Sequence, residues 1–300
     1  MQQLNQATAS PHAAARPKAS DFIIRPVGPV MGAEVIGLDA SQPLSQDMFK
    51  RIEDAFLEYK LLCFRDQEFT LDTLVSFTEN WGPLLEHTMP GQLRDGITAI
   101  NIATNATADG KPSGKHPDVT AMRWHTDRSW RARPAMATLL YGVQVPSVGG
   151  DTLFANGTLA YDSLPEDKKR LIDPLNAIHS VDYSRKTGYG GPAATEYELR
   201  EHPPVPHPLA RKHPATGRRS IYCGCHAWKI EGWSKANGRK LLDEMMDWVK
   251  QDRFVYRHKW RKHDLVIWDN RCLFHAATPY DTTKEIRTMW RTVVEGGPTH

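Results

Sequence analysis

The apolar sequence of this chain is cut into pieces of strand length. The stretches MATLLYGVQV (136–145), DTLFAN (151–156), RSIYCG (219–224), FVYRHKW (254–260), DLVIWDN (264–270) and TMWRTVVEG (288–296) are rich in β-branched and aromatic residues and are punctuated by Gly, Pro and Asn. Runs of this kind form strands, and strands must pair to satisfy their backbone groups. Helical periodicity is confined to three places. Phe49, Ile52, Phe56 and Tyr59 recur at three- and four-residue steps over 46–61. Leu71, Leu74, Val75, Thr78 and Trp81 do so before a stop at Gly82, and Leu241, Leu242, Met245, Trp248 and Val249 over 238–251. The mixture predicts a mainly β protein with flanking helices, its core a β-sandwich or jelly roll.

Residues 1–20 are rich in Ala, Gln, Ser and Pro with no periodic apolar face, and read as a disordered tail. No linker or repeat follows, so 21–300 are expected to form a single domain. A net charge of +3 gives no electrostatic footprint for nucleic acid, and the basic runs at 211–219 and 259–264 read as solvated turns. No apolar run reaches the roughly 18 residues that suggest a membrane span. Cys223 and Cys225 are too close for a zinc knuckle or a redox pair and read as packing residues. Free thiols without an export signal point to the cytoplasm.

The stretch RWHTDRSW (123–130) sets His125 two positions from Asp127. In a strand these side chains share a face about 6.6 Å apart, which brings an imidazole nitrogen and a carboxylate oxygen toward one point. A third partner is His275, which follows the turn WDNR. Two histidines and a carboxylate on one face of a metal leave open positions opposite, as in non-haem iron(II) oxygenases. Downstream, Arg287 and Arg291 share a face if EIRTMWRTVVEG (285–296) is a strand, and guanidinium forks suit planar carboxylates. Thr152 opens another strand with a hydroxyl able to share such a carboxylate.

Four ordered motifs, WHTD, GGDTLFAN, WDNRCLFHAATPYD and RTMWR, resemble the taurine dioxygenase and 2,4-dichlorophenoxyacetate dioxygenase family of iron(II)/2-oxoglutarate oxygenases. The resemblance continues in GAEVIGLDASQPLS, LLCFRDQEFT and WGPLLEH, and spans about residues 22–296. It implies a double-stranded β-helix (jelly roll), with His125, Asp127 and His275 as iron ligands and Thr152 and Arg287 on the distal carboxylate of 2-oxoglutarate. It also implies Arg291 and His87 on an anionic substrate. The implied chemistry is oxidative decarboxylation of 2-oxoglutarate by oxygen, releasing succinate and CO2 and hydroxylating a substrate C–H bond.

Two features depart from the taurine enzymes. The gap between His275 and Arg287 is longer, and YCGCHAWKIEGW (222–233) is closer to the aryloxyacetate branch. The expected substrate is therefore a small organic anion, a carboxylate rather than a sulfonate or sulfate ester. His226 and Trp228, in that stretch, are candidate pocket residues, although packing would also explain them. His116, His179, His202, His207, His213, His258 and His263 show no paired ligand spacing and read as structural or exposed. The segment 183–204, long and Gly/Pro-rich, reads as a mobile lid. A homo-oligomer, dimer or tetramer, is expected. Two other classes stay open: a hydrolase or isomerase using the same triad with another metal, and a non-catalytic binding protein on the same frame.

Overall fold

The longest strand, Ala135–Gln144, and the C-terminal strand Thr288–Glu295 are neighbours, fifth and sixth in a seven-stranded sheet. In the computed structural model, which describes residues 22–86, 98–188 and 193–299, the strand order is Ile23–Pro26, Ala33–Ile36, Leu61–Phe64, Leu265–Asp269, Ala135–Gln144, Thr288–Glu295, Asn101–Thr104. Every neighbouring pair is antiparallel except Ala33–Ile36 with Leu61–Phe64.

Both faces of this sheet are covered, which is why Leu61–Phe64 and Leu265–Asp269 are buried at every position. Alternation sorts their side chains. Leu62, Phe64, Leu139 and Ile267 meet Ile52, Phe56, Leu74 and Phe77 of the helices Gln46–Tyr59 and Leu71–Glu79. Leu61, Cys63, Val266 and Trp268 meet Phe154 and Leu273. Those last two belong to a second, three-stranded sheet: Val255–His258, Thr152–Asn156, Leu273–Ala277. Phe154 and Trp268 are in edge contact across the gap at 5.3 Å.

A third sheet of Ala227–Ile230, Asn176–His179 and Val205–Pro208 packs under the helix Lys235–Val249. The three expected helices are present as Gln46–Tyr59, Leu71–Glu79 and Lys235–Val249, each started by a hydroxyl cap from Ser45, Thr70 or Ser234. No helix among the described residues is long and apolar enough to cross a membrane.

The structure departs from the sequence expectations in several places. Four further helices appear: Gly157–Asp162, Glu166–Ile172, Val181–Gly188 and Glu196–Glu201. The last two lie in the segment read as a lid, so its described parts are largely helical. Arg185 on one helix makes a two-pronged pair with Glu198 on the other, at 2.8 and 2.7 Å. The basic run 211–219 is not wholly solvated either. It folds as a hairpin, and Arg211 is only 2% exposed, stacked 4.6 Å over Tyr222. The tail 1–20 lies outside the described residues.

Gly157 locks the second sheet to its surroundings. Its N–H donates to the carbonyl of Cys272 at 2.9 Å, just before the strand that carries His275. A Cβ there would lie 2.5 Å from Ser220 Oγ and 2.9 Å from the carbonyl oxygens of Cys272 and Ile221. Gly157→Ala is expected to destabilise the fold by about 1–3 kcal/mol, the usual cost of overpacking. Urea unfolding measures this, and an unchanged midpoint would mean the junction relaxes freely.

Candidate active site

His125 and His275 meet through their backbones. Each donates its N–H to the other's carbonyl, at 3.1 and 2.8 Å, in an isolated antiparallel bridge. Their ring centroids are 4.1 Å apart. His275 sits in the strand Leu273–Ala277, its ring braced by Trp268 at 4.7 Å and Phe154 at 6.1 Å. His125 is not in a named strand, as the sequence had suggested. A single bridge residue holds it, and the chain turns at Asp127, with Arg128 in the left-handed region at φ 55°. The shared direction of His125 and Asp127 thus comes from an extended stub running into a turn.

The turn is fixed by groups that the sequence reading did not single out. Asn270, in the WDNR turn, accepts the Asp127 backbone N–H at 3.0 Å and the Trp268 indole N–H at 3.1 Å. Its amide donates to Thr138 Oγ1 at 2.8 Å, and Thr138 donates its hydroxyl proton to Asp127 Oδ2 at 2.6 Å. Each hydrogen bond dictates the direction of the next. The outcome is a carboxylate in a fixed plane.

Asp127 Oδ1 lies 3.7 Å from His125 Nε2 and 3.8 Å from an Arg291 nitrogen, and Oδ2 lies 3.6 Å from His275 Nε2. A first-row metal bonded at about 2.1 Å needs neighbouring ligand atoms roughly 3 to 4 Å apart, so the spacing fits. Protonation fits too. His125 Nδ1 is 2.6 Å from the carbonyl oxygen of Arg123 and must donate to it, which leaves the Nε2 lone pair facing Asp127. Burial, with His125 adding to it, pushes His275 down to about 3 and keeps that ring neutral. Burial opposes ionisation of Asp127, but its neighbours, the Arg291 guanidinium and the Thr138 hydroxyl among them, overcome it and hold the carboxyl well below its usual range. The two imidazoles and the ionised carboxylate form a ligand set for a divalent ion.

Two other potential ligand trios occur among the described residues, Cys63–His258–Asp264 and His213–Asp269–Cys272. Both already contain a cation. Arg65 pairs with Asp264, and Arg271 holds Asp269 through two bonds of 2.8 and 2.6 Å. Both are buried structural networks.

The cavity at the metal-ligand cluster is lined by His125, His275, Thr152, Arg287 and Arg291 together with apolar Ala103, Ala121, Leu140, Ala277 and Met289. Arg287 and Arg291 do share a side of their segment, with Met289 between them. Arg287 is buried, with Nε donating to the Gly150 carbonyl at 3.3 Å and its cation 5.9 Å from the centre of the Trp260 ring. Burial lowers it to about 10, which leaves it charged. The carboxylate that acts on it, Asp151, is held by Arg257 at 3.0 Å. Trp260 donates to Thr152 Oγ1 at 3.0 Å, so the Thr152 hydroxyl proton is free to serve an acceptor in the cavity.

The remaining candidates divide. Arg291 borders the ligand carboxylate, and its Nε is buried without a partner. The His226 ring lies 6.4 Å from that of His125, with Nδ1 bonded to Ser184 Oγ at 2.9 Å; burial, and then His125, push it down to about 3. Trp228 packs beside Tyr183 and under Lys229, and is not among the residues lining the cavity. His87 lies outside the described residues. Conversely, His116, read as structural or exposed, stands in the cavity wall.

A buried two-histidine, one-carboxylate cluster opening on a cavity with two arginines defines a metal-dependent enzyme acting on anions. Residues 23–293 match the taurine catabolism dioxygenase TauD, TfdA family, and the chain belongs to that family. It is 35% identical to the (S)-phenoxypropionate/alpha-ketoglutarate-dioxygenase of Sphingobium herbicidovorans, over 92% of this chain and 96% of that one. It is 33% identical to the alpha-ketoglutarate-dependent 2,4-dichlorophenoxyacetate dioxygenase of Cupriavidus pinatubonensis, over 88% of this chain and 96% of that one. Among solved structures, AAD-2 in complex with Mn(II) and N-oxalylglycine superposes with a TM-score of 0.82 at 35% identity, covering 93% of this chain and 98% of that one. The chain is a 2-oxoglutarate-dependent dioxygenase, with iron(II) as cofactor and 2-oxoglutarate and oxygen as cosubstrates.

Thr138→Val removes the hydrogen bond that orients the carboxylate while preserving its volume. Partners in this position typically contribute 10- to 100-fold to metal affinity. A fall of about tenfold or more in anaerobic iron(II) titration is expected, and wild-type affinity would show that Asp127 needs no such support.

Proposed function

We propose that this chain hydroxylates a C–H bond of a small organic anion, a carboxylate in preference to a sulfonate or sulfate ester. One observation carries the reading. Arg287 and Arg291 open on the same cavity as the His125–Asp127–His275 cluster; Asp127 belongs to that cluster, and Asp118, the carboxylate in the cavity wall, is bonded to the Thr120 backbone N–H at 2.8 Å. Two separate seats for anions suit an enzyme that binds an acidic cosubstrate and an acidic substrate together. The apolar walls suit an apolar body. The preference for a carboxylate is supported by the stretch 222–233 and by the two relatives named for phenoxypropionate and dichlorophenoxyacetate. The two sheets meeting across Phe154 and Trp268 support reading the frame as a double-stranded β-helix.

In this reading His125, Asp127 and His275 hold iron(II), which when bound supplies the activation of oxygen. Arg287 and the Thr152 hydroxyl hold the distal carboxylate of 2-oxoglutarate and so fix the direction from which its 2-oxo acid end approaches the metal. Arg291 anchors the substrate anion and sets which carbon faces the metal; His226 shapes the wall behind His125. Leu140, Met289 and Ala277 keep water from the reacting carbon. A hydrolase or isomerase would have no use for the Arg287–Thr152 seat, and a non-catalytic binding protein would not need the intact triad.

Hydrogen bonds to charged groups contribute about 1.5–3 kcal/mol each. Arg287→Ala is therefore expected to raise the 2-oxoglutarate KM at least tenfold, and Thr152→Val less. An unchanged KM in Arg287→Ala would mean another residue holds the cosubstrate. Arg291→Gln is expected to weaken the substrate about 30-fold or more, with iron and 2-oxoglutarate binding near normal. Titration of both ligands distinguishes the roles: if 2-oxoglutarate weakens and the anion does not, Arg291 belongs to the cosubstrate.

A further inference from the structure

Beside Arg287 the site holds two buried hydrogen-bonding atoms with no partner, His116 Nε2 and Tyr280 Oη. His116 lines the cavity, and its Nδ1 accepts the backbone N–H of Asp118 at 3.1 Å. The neutral ring must then carry its proton on Nε2. Burial, with the charge of Arg287 adding to it, lowers the His116 pKa and favours that neutral form. The Tyr280 ring is 5.5 Å from that of His116. Its backbone bridges Gly149, next to the Gly150 carbonyl that receives Arg287 Nε. Burial raises the Tyr280 phenol, which therefore keeps its proton.

Asp118, the carboxylate in this wall, is bonded to the Thr120 backbone N–H at 2.8 Å, and the remaining chemistry of the corner is one-sided. His116 Nε2–H, Tyr280 O–H, the Thr152 hydroxyl proton and the Arg287 guanidinium are all donors. A carboxylate is acceptor-only, with about four lone-pair sites. Buried donors left unpaired are costly, and two beside an arginine mark a place for an acceptor.

We infer that His116 and Tyr280 complete the seat for the distal carboxylate of the cosubstrate, and so make the enzyme select a 2-oxo diacid over 2-oxo acids that lack that group. The inference rests on the Thr152–Arg287 reading above and adds two positioning residues to it.

The test is calorimetric titration of manganese(II)-loaded protein with two ligands. 2-Oxoglutarate carries the distal carboxylate. 2-Oxobutyrate has the same metal-chelating end without it, and is used at the higher concentrations its weaker binding needs. Tyr280→Phe and His116→Leu are each expected to weaken 2-oxoglutarate about tenfold and to leave 2-oxobutyrate unchanged. His116→Gln, which keeps a donor, is expected to recover much of the loss. Equal losses for both ligands would mean that the two rings only shape the site, and would overturn the inference. So would wild-type 2-oxoglutarate affinity in both ring variants while Arg287→Ala weakens it. An unaffected Arg287→Ala would instead remove the carboxylate seat itself.

Discussion

The site depends on two backbone hydrogen bonds between residues far apart in the sequence. When His125 and His275 exchange N–H and C=O groups, the stub that carries His125 and Asp127 is fastened beside the strand Leu273–Ala277. The bridge brings the rings within 4.1 Å, and the WDNR turn beside it supplies Asn270 to catch the Asp127 backbone. One of the two segments ends in a turn and the other lies on a sheet that packs against Trp268 through Phe154. The geometry of the ligands is thereby inherited from the core.

Charge follows from that geometry. Asp127 is buried, and an isolated buried carboxylate would take up a proton. It stays ionised with the Arg291 guanidinium beside it and the Thr138 hydroxyl donating to it. Beyond that carboxylate, the cavity wall presents two guanidinium groups. Arg287, just before the strand Thr288–Glu295, and Arg291 on it approach the same cavity, with Met289 between them on that side. The arrangement favours anions by electrostatics and apolar bodies by its walls. It also keeps the Asp127 cluster and the Arg287 cation as separate parts of one cavity.

Much of this was legible in the sequence. Strands such as 264–270 and 288–296 announce themselves through β-branched and aromatic residues, and the three long helices through apolar periodicity. The ligand trio was legible as residue types, but its local geometry was not, because a one-residue bridge and a left-handed Arg128 leave no periodic trace. The short helices were missed for a related reason. Glu166–Ile172 buries only Ile172, and Gly157–Asp162 is too short to show a stripe. Glu196–Glu201 did carry a readable signal: Thr195 and Glu198 form a capping box, outweighed by the Gly/Pro content around it. Thr138, Asn270, Trp260 and His116 join the site only through the fold.

The central claim is that two imidazoles and one carboxylate of this chain hold the iron. X-ray absorption at the iron edge, on anaerobic protein loaded with iron(II), counts the imidazole nitrogens directly. The account predicts two in the wild-type protein, and a lower count in whatever iron His275→Ala retains. A wild-type count other than two, or an unchanged count in His275→Ala, would contradict it.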